Sequence, residues 1–173
     1  MKKIIDKVDE FGDRAIHYIY KKNKYLDKTM IWITVSGDLG IIWIIISFFL
    51  LTKEKHMKVG IMMLLSIALA SILGEGILKH IVKRKRPFIR NRLIELLIAE
   101  PSTYSFPSGH TASSFAAATV FVNTNMALSS AIVVLAVLIS FSRVYLRVHY
   151  LSDVIGGAIL GIFCGLVVVG ILG

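Results

Sequence analysis

The chain has little cysteine, few acidic residues and few charges inside its apolar segments. Its one cysteine, Cys164, lies in a charge-free run. A single thiol can form no internal disulfide, and one in such a run packs as a small apolar side chain. Asp and Glu number 11 against 20 Lys and Arg, a formal charge of +9. That surplus suits an anionic lipid surface or a phosphorylated substrate, and it also suits the bias of Lys and Arg toward cytoplasmic loops. The charges flank apolar segments and form no single stripe with aromatics, which argues against nucleic acid as a partner. No repeat, low-complexity tract or linker divides the sequence, so one domain over 1–173 is expected. Nor is a cleaved targeting segment expected. Met1-Lys2-Lys3-Ile4-Ile5-Asp6 places an acid where a signal peptide has its apolar core.

What the chain does have is apolar length. It is 55% hydrophobic over 173 residues, with a mean hydropathy of +0.73, which places it in the membrane class. Residues 1–25 are amphipathic, with Ile4, Ile5, Val8, Phe11, Ala15, Ile16 and Ile19 at helical spacing. Such a segment lies in the membrane interface, or packs on the loops as a short soluble helix. A first span covers 29–52 and is interrupted by Asp38 beside Gly37 and Gly40. A carboxylate at membrane depth is costly, so Asp38 marks an end, a break or a paired site. A second span covers 57–79, where Glu75 and Lys79 can pair on one helix face.

Thr111 to Ser142 is free of charge for 32 residues. As one helix it would extend about 48 Å, beyond a hydrocarbon core of roughly 30 Å. It must therefore turn, at Asn123-Thr124-Asn125, giving spans over 108–123 and 126–145. A last span covers 151–172, where Gly157, Gly161 and Gly165 make a small-residue packing face. The expected fold class is all-α: an integral membrane helical bundle of about five transmembrane helices plus an N-terminal amphipathic interfacial helix.

The polar connection 80–107 includes a small amphipathic piece at 91–99, and three clusters of polar residues sit at the edges of the apolar segments. Lys79 and Arg86 are seven apart, nearly one face of a helix, and Pro87 should end that helix at about Arg86. A guanidinium fork and an ammonium could converge there on one anion. Ordinary positive flanking of a span explains the same residues, and spacing does not separate Lys79 and Arg86 from Lys83 and Arg84. Pro107-Ser108-Gly109-His110 precedes an apolar helix. Ser108 suits an N-cap, the free N–H groups of the first turn favour an anion, and Gly109 permits close approach. A plain helix cap would look the same, except that His110 is an expensive group at membrane depth unless it is used.

In the third cluster, Ser142-Arg143 is followed by His149 and Asp153, four apart. On one helix face the carboxylate would hold the proton of one ring nitrogen, leaving the other as a lone-pair nucleophile. Arg143 could bind the same anion. Two histidines and an aspartate could also ligate zinc, but Lys79, Arg86 and Arg143 would repel a metal and instead suit a transferring phosphoryl group.

The ordered triple of Lys79, Arg86 and Pro87, then Pro107 to His110, then Ser142, Arg143, His149 and Asp153 resembles the signature of the type 2 phosphatidic acid phosphatase family. These are integral-membrane lipid phosphatases, in a superfamily with glucose-6-phosphatase and vanadium haloperoxidases. The resemblance covers about 79–157. It implies that His149 attacks phosphorus to form a phosphohistidine and that Asp153 orients it. His110 would protonate the leaving oxygen and then help water hydrolyse the intermediate. Lys79, Arg86, Ser108, Gly109 and Arg143 would hold the phosphate oxygens, with no metal and no cofactor. Many members have six spans, whereas here the first element is only amphipathic.

The small size and minimal loops resemble bacterial members that dephosphorylate undecaprenyl diphosphate. Phosphatidylglycerophosphate, phosphatidate and lipid A phosphates are the alternative substrates. The implied partners are a phosphorylated lipid and the bilayer, with no nucleic acid. The implied location is the plasma membrane, multi-pass, with the active site on the outer face. A transporter or binding protein for phosphorylated lipids and a vanadate-dependent oxidase are the rival classes.

Overall fold

The computed structural model describes residues 2–173, apart from the side chains of Lys2 and Leu39. All regular structure in it is helical: α1 Lys2–His17, α2 Lys24–Ser36, α3 Ile41–Leu51, α4 Met57–Ser71, α5 Lys79–Val82, α6 Pro87–Arg90, α7 Gly109–Asn123, α8 Ser129–Tyr145 and α9 Leu151–Leu172. A π-helical turn, Ile72–Leu78, joins α4 to α5.

The expected amphipathic segment forms as α1 and ends at His17, short of residue 25. Its faces are not divided simply into lipid and water. Ile16 and Asp9 are buried against the rest of the chain, while Ile4 and Phe11 stay exposed.

The expected first span is broken. Asn23 caps α2, its Oδ1 accepting from the N–H groups of Tyr25 at 2.9 Å and Leu26 at 3.2 Å. After α2 the chain turns through a 3₁₀ segment, Asp38–Gly40, with Gly40 at φ 68°, a conformation glycine adopts without steric cost. α3 leaves at 51° to α2. Asp38 thus lies on the break.

Two expectations for the polar connection need correction. The helix carrying Lys79 does not reach Arg86: it ends at Val82, with Lys83 at φ 49°. Arg86 is extended at φ −72°, ψ 159°, as the following proline demands. Nor does 91–99 form a helix. A segment this short cannot offset the cost of helix nucleation alone. Its Ile94, Leu96, Leu97 and Ile98 instead pack on the cluster of Ile16, Phe88, Tyr145 and Val148. Glu95 pins the segment to the turn after α1, accepting from Lys21 Nζ at 2.7 Å and, through its carbonyl, from Tyr20 at 2.8 Å.

The turn after Asn123 and the start of α9 at Leu151 fall where expected. α7 and α9 are in close contact. A Cβ on Gly157 would lie 2.6 Å from Ser108 O, and one on Gly161 would meet Ala112 O and, at 2.9 Å, Ala116 N. The glycine face lets the two backbones approach as close helix packing in a membrane requires. Cys164 is buried beside Ala70, Ala112 and Ala116. Trp43, Met63, Val120 and Ile139 fill the core between α3, α4, α7 and α8, and Trp43 Nε1 donates to Ser114 Oγ at 3.0 Å.

The outer surfaces of α3, α8 and α9 expose Ile45, Phe49, Val134, Ile159 and Phe163, an arrangement suited to hydrocarbon. Among the described residues, two segments are long and apolar enough to cross a membrane, Glu54–Arg90 and Leu151–Leu172. A third counts if α2 and α3 form one bent span. With 22 residues, α9 spans about 33 Å.

Candidate active site

Six of the eight expected site residues line one cavity of about 420 Å³: Lys79, Arg86, Gly109, His110, Arg143 and His149. Lys79 enters from the end of the π turn, Arg86 from the extended residue before Pro87, and His110 from the first turn of α7. Arg143 comes from the last turn of α8, and His149 from the loop into α9. The three cations are buried and held by fixed acceptors. Lys79 Nζ donates to Thr103 Oγ1 at 2.9 Å and pairs with Glu75 Oε1 at 2.7 Å. Arg86 donates through Nε to Thr103 O at 2.7 Å and through Nη1 to Val148 O at 2.8 Å. Arg143 Nη1 donates to Thr34 Oγ1 at 2.5 Å, and its Nε has no partner among the described residues.

The tautomer of His149 follows from its neighbours. Arg86 Nη1 lies 3.1 Å from His149 Nε2. A guanidinium can only donate, so Nε2 holds the lone pair and the proton sits on Nδ1. Burial drives the imidazole down to about 3. Arg86 and Arg143 push the same way, against the nearby Asp153. The ring is therefore neutral at physiological pH.

Ser108 and Asp153 lie behind the cavity wall. Ser108 occupies the N-cap position of α7, but its hydroxyl makes no capping bond. It accepts instead from Thr111 Oγ1 at 3.0 Å, and the Ser108 N–H donates to Asp153 O at 3.1 Å. Asp153 Oδ2 is 3.6 Å from His149 Nδ1. That is ion-pair range and longer than a hydrogen bond, and among the described residues Nδ1 has no hydrogen-bond partner. The Asp153 carboxylate accepts from Ser105 Oγ at 2.5 Å, Tyr150 N at 2.9 Å and Arg84 Nη1 at 2.6 Å.

Several contributors were not evident from sequence motifs. Asp38 Oδ1 lies 2.8 Å from His110 Nε2, so the carboxylate in the first apolar segment is both at a break and paired. Thr103 holds both Lys79 and Arg86 and sits in a loop with no pattern to mark it. Glu75 pairs with Lys79 as its spacing suggests, and also forms part of the cavity wall. Arg84 is separated from its neighbours by tertiary position: it reaches Asp153, while Lys83 and Lys85 are exposed. Among the described residues, no group of three or more His, Cys, Asp or Glu is placed to hold a metal ion.

Three buried cations around a lone-pair imidazole suit the transfer of a phosphoryl group from a lipid. Comparisons with known proteins agree. An undecaprenyl-diphosphatase of Sulfolobus acidocaldarius is 34% identical over 143 residues, covering 82% of this chain and 68% of that protein. Undecaprenyl-diphosphatase BcrC of Bacillus subtilis is 25% identical over 152 residues, covering 88% and 78%. The crystal structure of a transmembrane PAP2-type phosphatidylglycerolphosphate phosphatase from Bacillus subtilis superposes with a TM-score of 0.77 at 27% identity, over 97% of this chain and 86% of that one. Aquifex aeolicus LpxE gives 0.76 at 28%, over 91% and 92%. The PAP2 superfamily model matches residues 57–173, a stretch that contains Lys79, Arg86, Ser108, Gly109, His110, Arg143, His149 and Asp153, and the chain belongs to that superfamily.

Proposed function

We propose that this membrane lipid phosphatase hydrolyses undecaprenyl diphosphate or a closely similar polyprenyl diphosphate through a phosphohistidine on His149. The observation that carries the reading is the 3.1 Å approach of Arg86 Nη1 to His149 Nε2, which marks Nε2 as the lone-pair nitrogen and sets a phosphate-binding cation beside it.

A terminal phosphoryl group enters among Lys79, Arg86 and Arg143, and its oxygens take over the donors that now serve the protein. The N–H groups at the start of α7, from Gly109 onward, complete the cradle with the favourable end of the helix dipole. Ser108 sets that helix start, and its hydroxyl keeps a proton to donate. His149 Nε2 attacks phosphorus and the bond to the leaving oxygen breaks. His110 gives that oxygen a proton. Water then attacks the phosphohistidine, His110 takes the water's proton, and phosphate leaves. Asp153 favours the Nδ1 proton throughout, and the cations stabilise the charge on the equatorial oxygens. No step draws on a metal.

In the bilayer, five spans fit the helices: α2 with α3 as one bent span, α4 with its π turn, α7, α8 and α9. α1 lies at the interface. The active site opens at the outer face of the plasma membrane. Labelling of single cysteines placed in 88–100 of intact cells tests that orientation, and labelling only after permeabilisation would reverse it.

The decisive assay measures phosphate release by the purified chain in detergent, without added metal. It compares undecaprenyl diphosphate, phosphatidylglycerophosphate, phosphatidate and a lipid A phosphate. Turnover highest on the polyprenyl diphosphate is expected, with turnover on every lipid lost in His149→Ala. Preference for another lipid would transfer the assignment to it. Binding without turnover by the wild type would make the protein a carrier.

A further inference from the structure

We propose that Arg84, held in place by Asp9 of α1, is a positioning residue for the Asp153–His149 pair, so that the N-terminal helix is part of the reaction machinery. The inference rests on the reading of His149 as nucleophile. The side chain of Asp153 is fully buried, and a buried carboxylate needs a partner of opposite charge to remain ionised. Among the described residues, Arg84 is the one formal cation within hydrogen-bond distance of it. An ionised Asp153 facing Nδ1 at 3.6 Å adds to the donation from Arg86 in keeping the His149 proton on that nitrogen and the lone pair on Nε2. Arg84 therefore acts on the nucleophile at second hand, by fixing the charge and the place of the carboxylate.

Arg84 is itself held by several partners. Its Nη1 also donates to Ser152 Oγ at 2.7 Å, its Nη2 donates to Asp9 Oδ2 at 2.5 Å, and its guanidinium lies 4.1 Å from the centre of the Tyr150 ring. The planar fork bridges two carboxylates at once, which an ammonium cannot do in the same geometry. Asp9 is nearly buried, at 9% exposure, and its Oδ1 accepts from Ser152 N at 3.0 Å. One carboxylate of α1 therefore holds both the guanidinium and the first turn of α9, the turn that carries Asp153. A cavity of about 20 Å³ lies between α1 and the nucleophile, bounded by Asp9, Arg147, His149 and Tyr150. α1 thus also forms the rear wall of His149.

A second tether supplies the control. Asp13, one turn along α1, accepts from Arg147 Nη1 at 3.0 Å. Asp13 is largely exposed, and neither residue bonds to Asp153. Loss of that pair weakens the hold on α1 as loss of Asp9 does, without touching the Asp153 carboxylate.

The test is steady-state phosphate release from the polyprenyl diphosphate by the full chain in detergent, comparing the wild type with Asp9→Asn, Arg84→Gln, Arg84→Lys and Asp13→Asn. Misplacement of a reacting group by a fraction of an ångström to 1 Å can cost up to about 100-fold. A fall in kcat of roughly 10- to 100-fold is therefore expected for Asp9→Asn and Arg84→Gln, with KM unchanged because neither residue lines the substrate cavity. Arg84→Lys should recover part of the loss, and Asp13→Asn should match the wild type. If Arg84→Gln does not fold, Asp9→Asn against Asp13→Asn decides alone. Wild-type kcat in Asp9→Asn, equal losses in Asp9→Asn and Asp13→Asn, or a loss confined to KM would overturn the proposal. An inactive wild type would instead remove the phosphatase reading beneath it.

Discussion

Asp38 Oδ1 lies 2.8 Å from Nε2 of His110, joining the break between α2 and α3 to the first turn of α7. The pairing fixes the ring orientation of His110 and places a proton on its Nε2, because a carboxylate can only accept. Asp38→Asn should reduce kcat on a lipid diphosphate by about 100-fold, the lower end of what a positioned acid contributes. The loss should grow on an alkyl phosphomonoester such as phosphatidate, whose alkoxide leaving oxygen needs the proton more than a phosphate leaving group does. An equal loss on both substrates would mean that Asp38 only braces the helix break.

Glu75 stands among the cations it must share with a substrate. Its Oε1 pairs with Lys79 Nζ at 2.7 Å and sits directly against Gly109 at the start of α7. Two anions a few ångströms apart repel by several kcal/mol at an effective dielectric of about 20. Glu75→Gln should therefore strengthen inhibition by inorganic phosphate, lowering its Ki about tenfold or more. A weaker inhibition would show instead that Glu75 serves mainly to aim Lys79.

His149 gives the fold an acid sensitivity. Its folded value is pushed down to about 3 from an ordinary 6.5, so between these the unfolded chain binds a proton that the folded chain refuses. Unfolding then takes up protons, and stability contributed by the neutral ring is fully present above about 6.5 and declines as pH falls toward 3. Thermal melts in detergent should show His149→Gln losing less Tm than the wild type between pH 6.5 and pH 4. Parallel losses would place the acid sensitivity elsewhere.

The contact between α7 and α9 leaves no room at Gly161. A Cβ there meets backbone atoms Ala112 O and Ala116 N, whereas one at Gly170 meets nothing within 4 Å. Backbone cannot yield as a side chain can, so Gly161→Ala should cost about 1–3 kcal/mol as overpacking. Gly170→Ala should be neutral or slightly stabilising through helix propensity. Because α7 begins next to His110 and α9 holds Asp153, the Gly161 variant should also lose turnover.

Legibility from sequence divides along physical lines. α9 and the turn at Asn123 could be read because a hydrocarbon core limits how long a charge-free run can continue. The helix carrying Lys79 stops at Val82 with Lys83 left-handed, and no proline or glycine announces that end. The 91–99 segment has helical apolar spacing, yet its side chains find burial on Ile16 and Tyr145 without a helix. Periodicity reports which side chains need cover, and several backbone shapes can provide it.

By itself the sequence determined the membrane class, the all-helical composition and the family, because apolar length and an ordered set of polar motifs survive without coordinates. It also named most of the residues that meet in the cavity. Only the tertiary structure decided which partner each of them meets. Arg84 turns to Asp153 while Arg86 turns to His149, although they stand two apart in one basic run. Asp9 reaches Arg84 and Asp38 reaches His110 from positions far along the chain. The reason is that a buried charge is sustained only by partners within a few ångströms, and those distances are set by how helices pack, which local sequence does not encode.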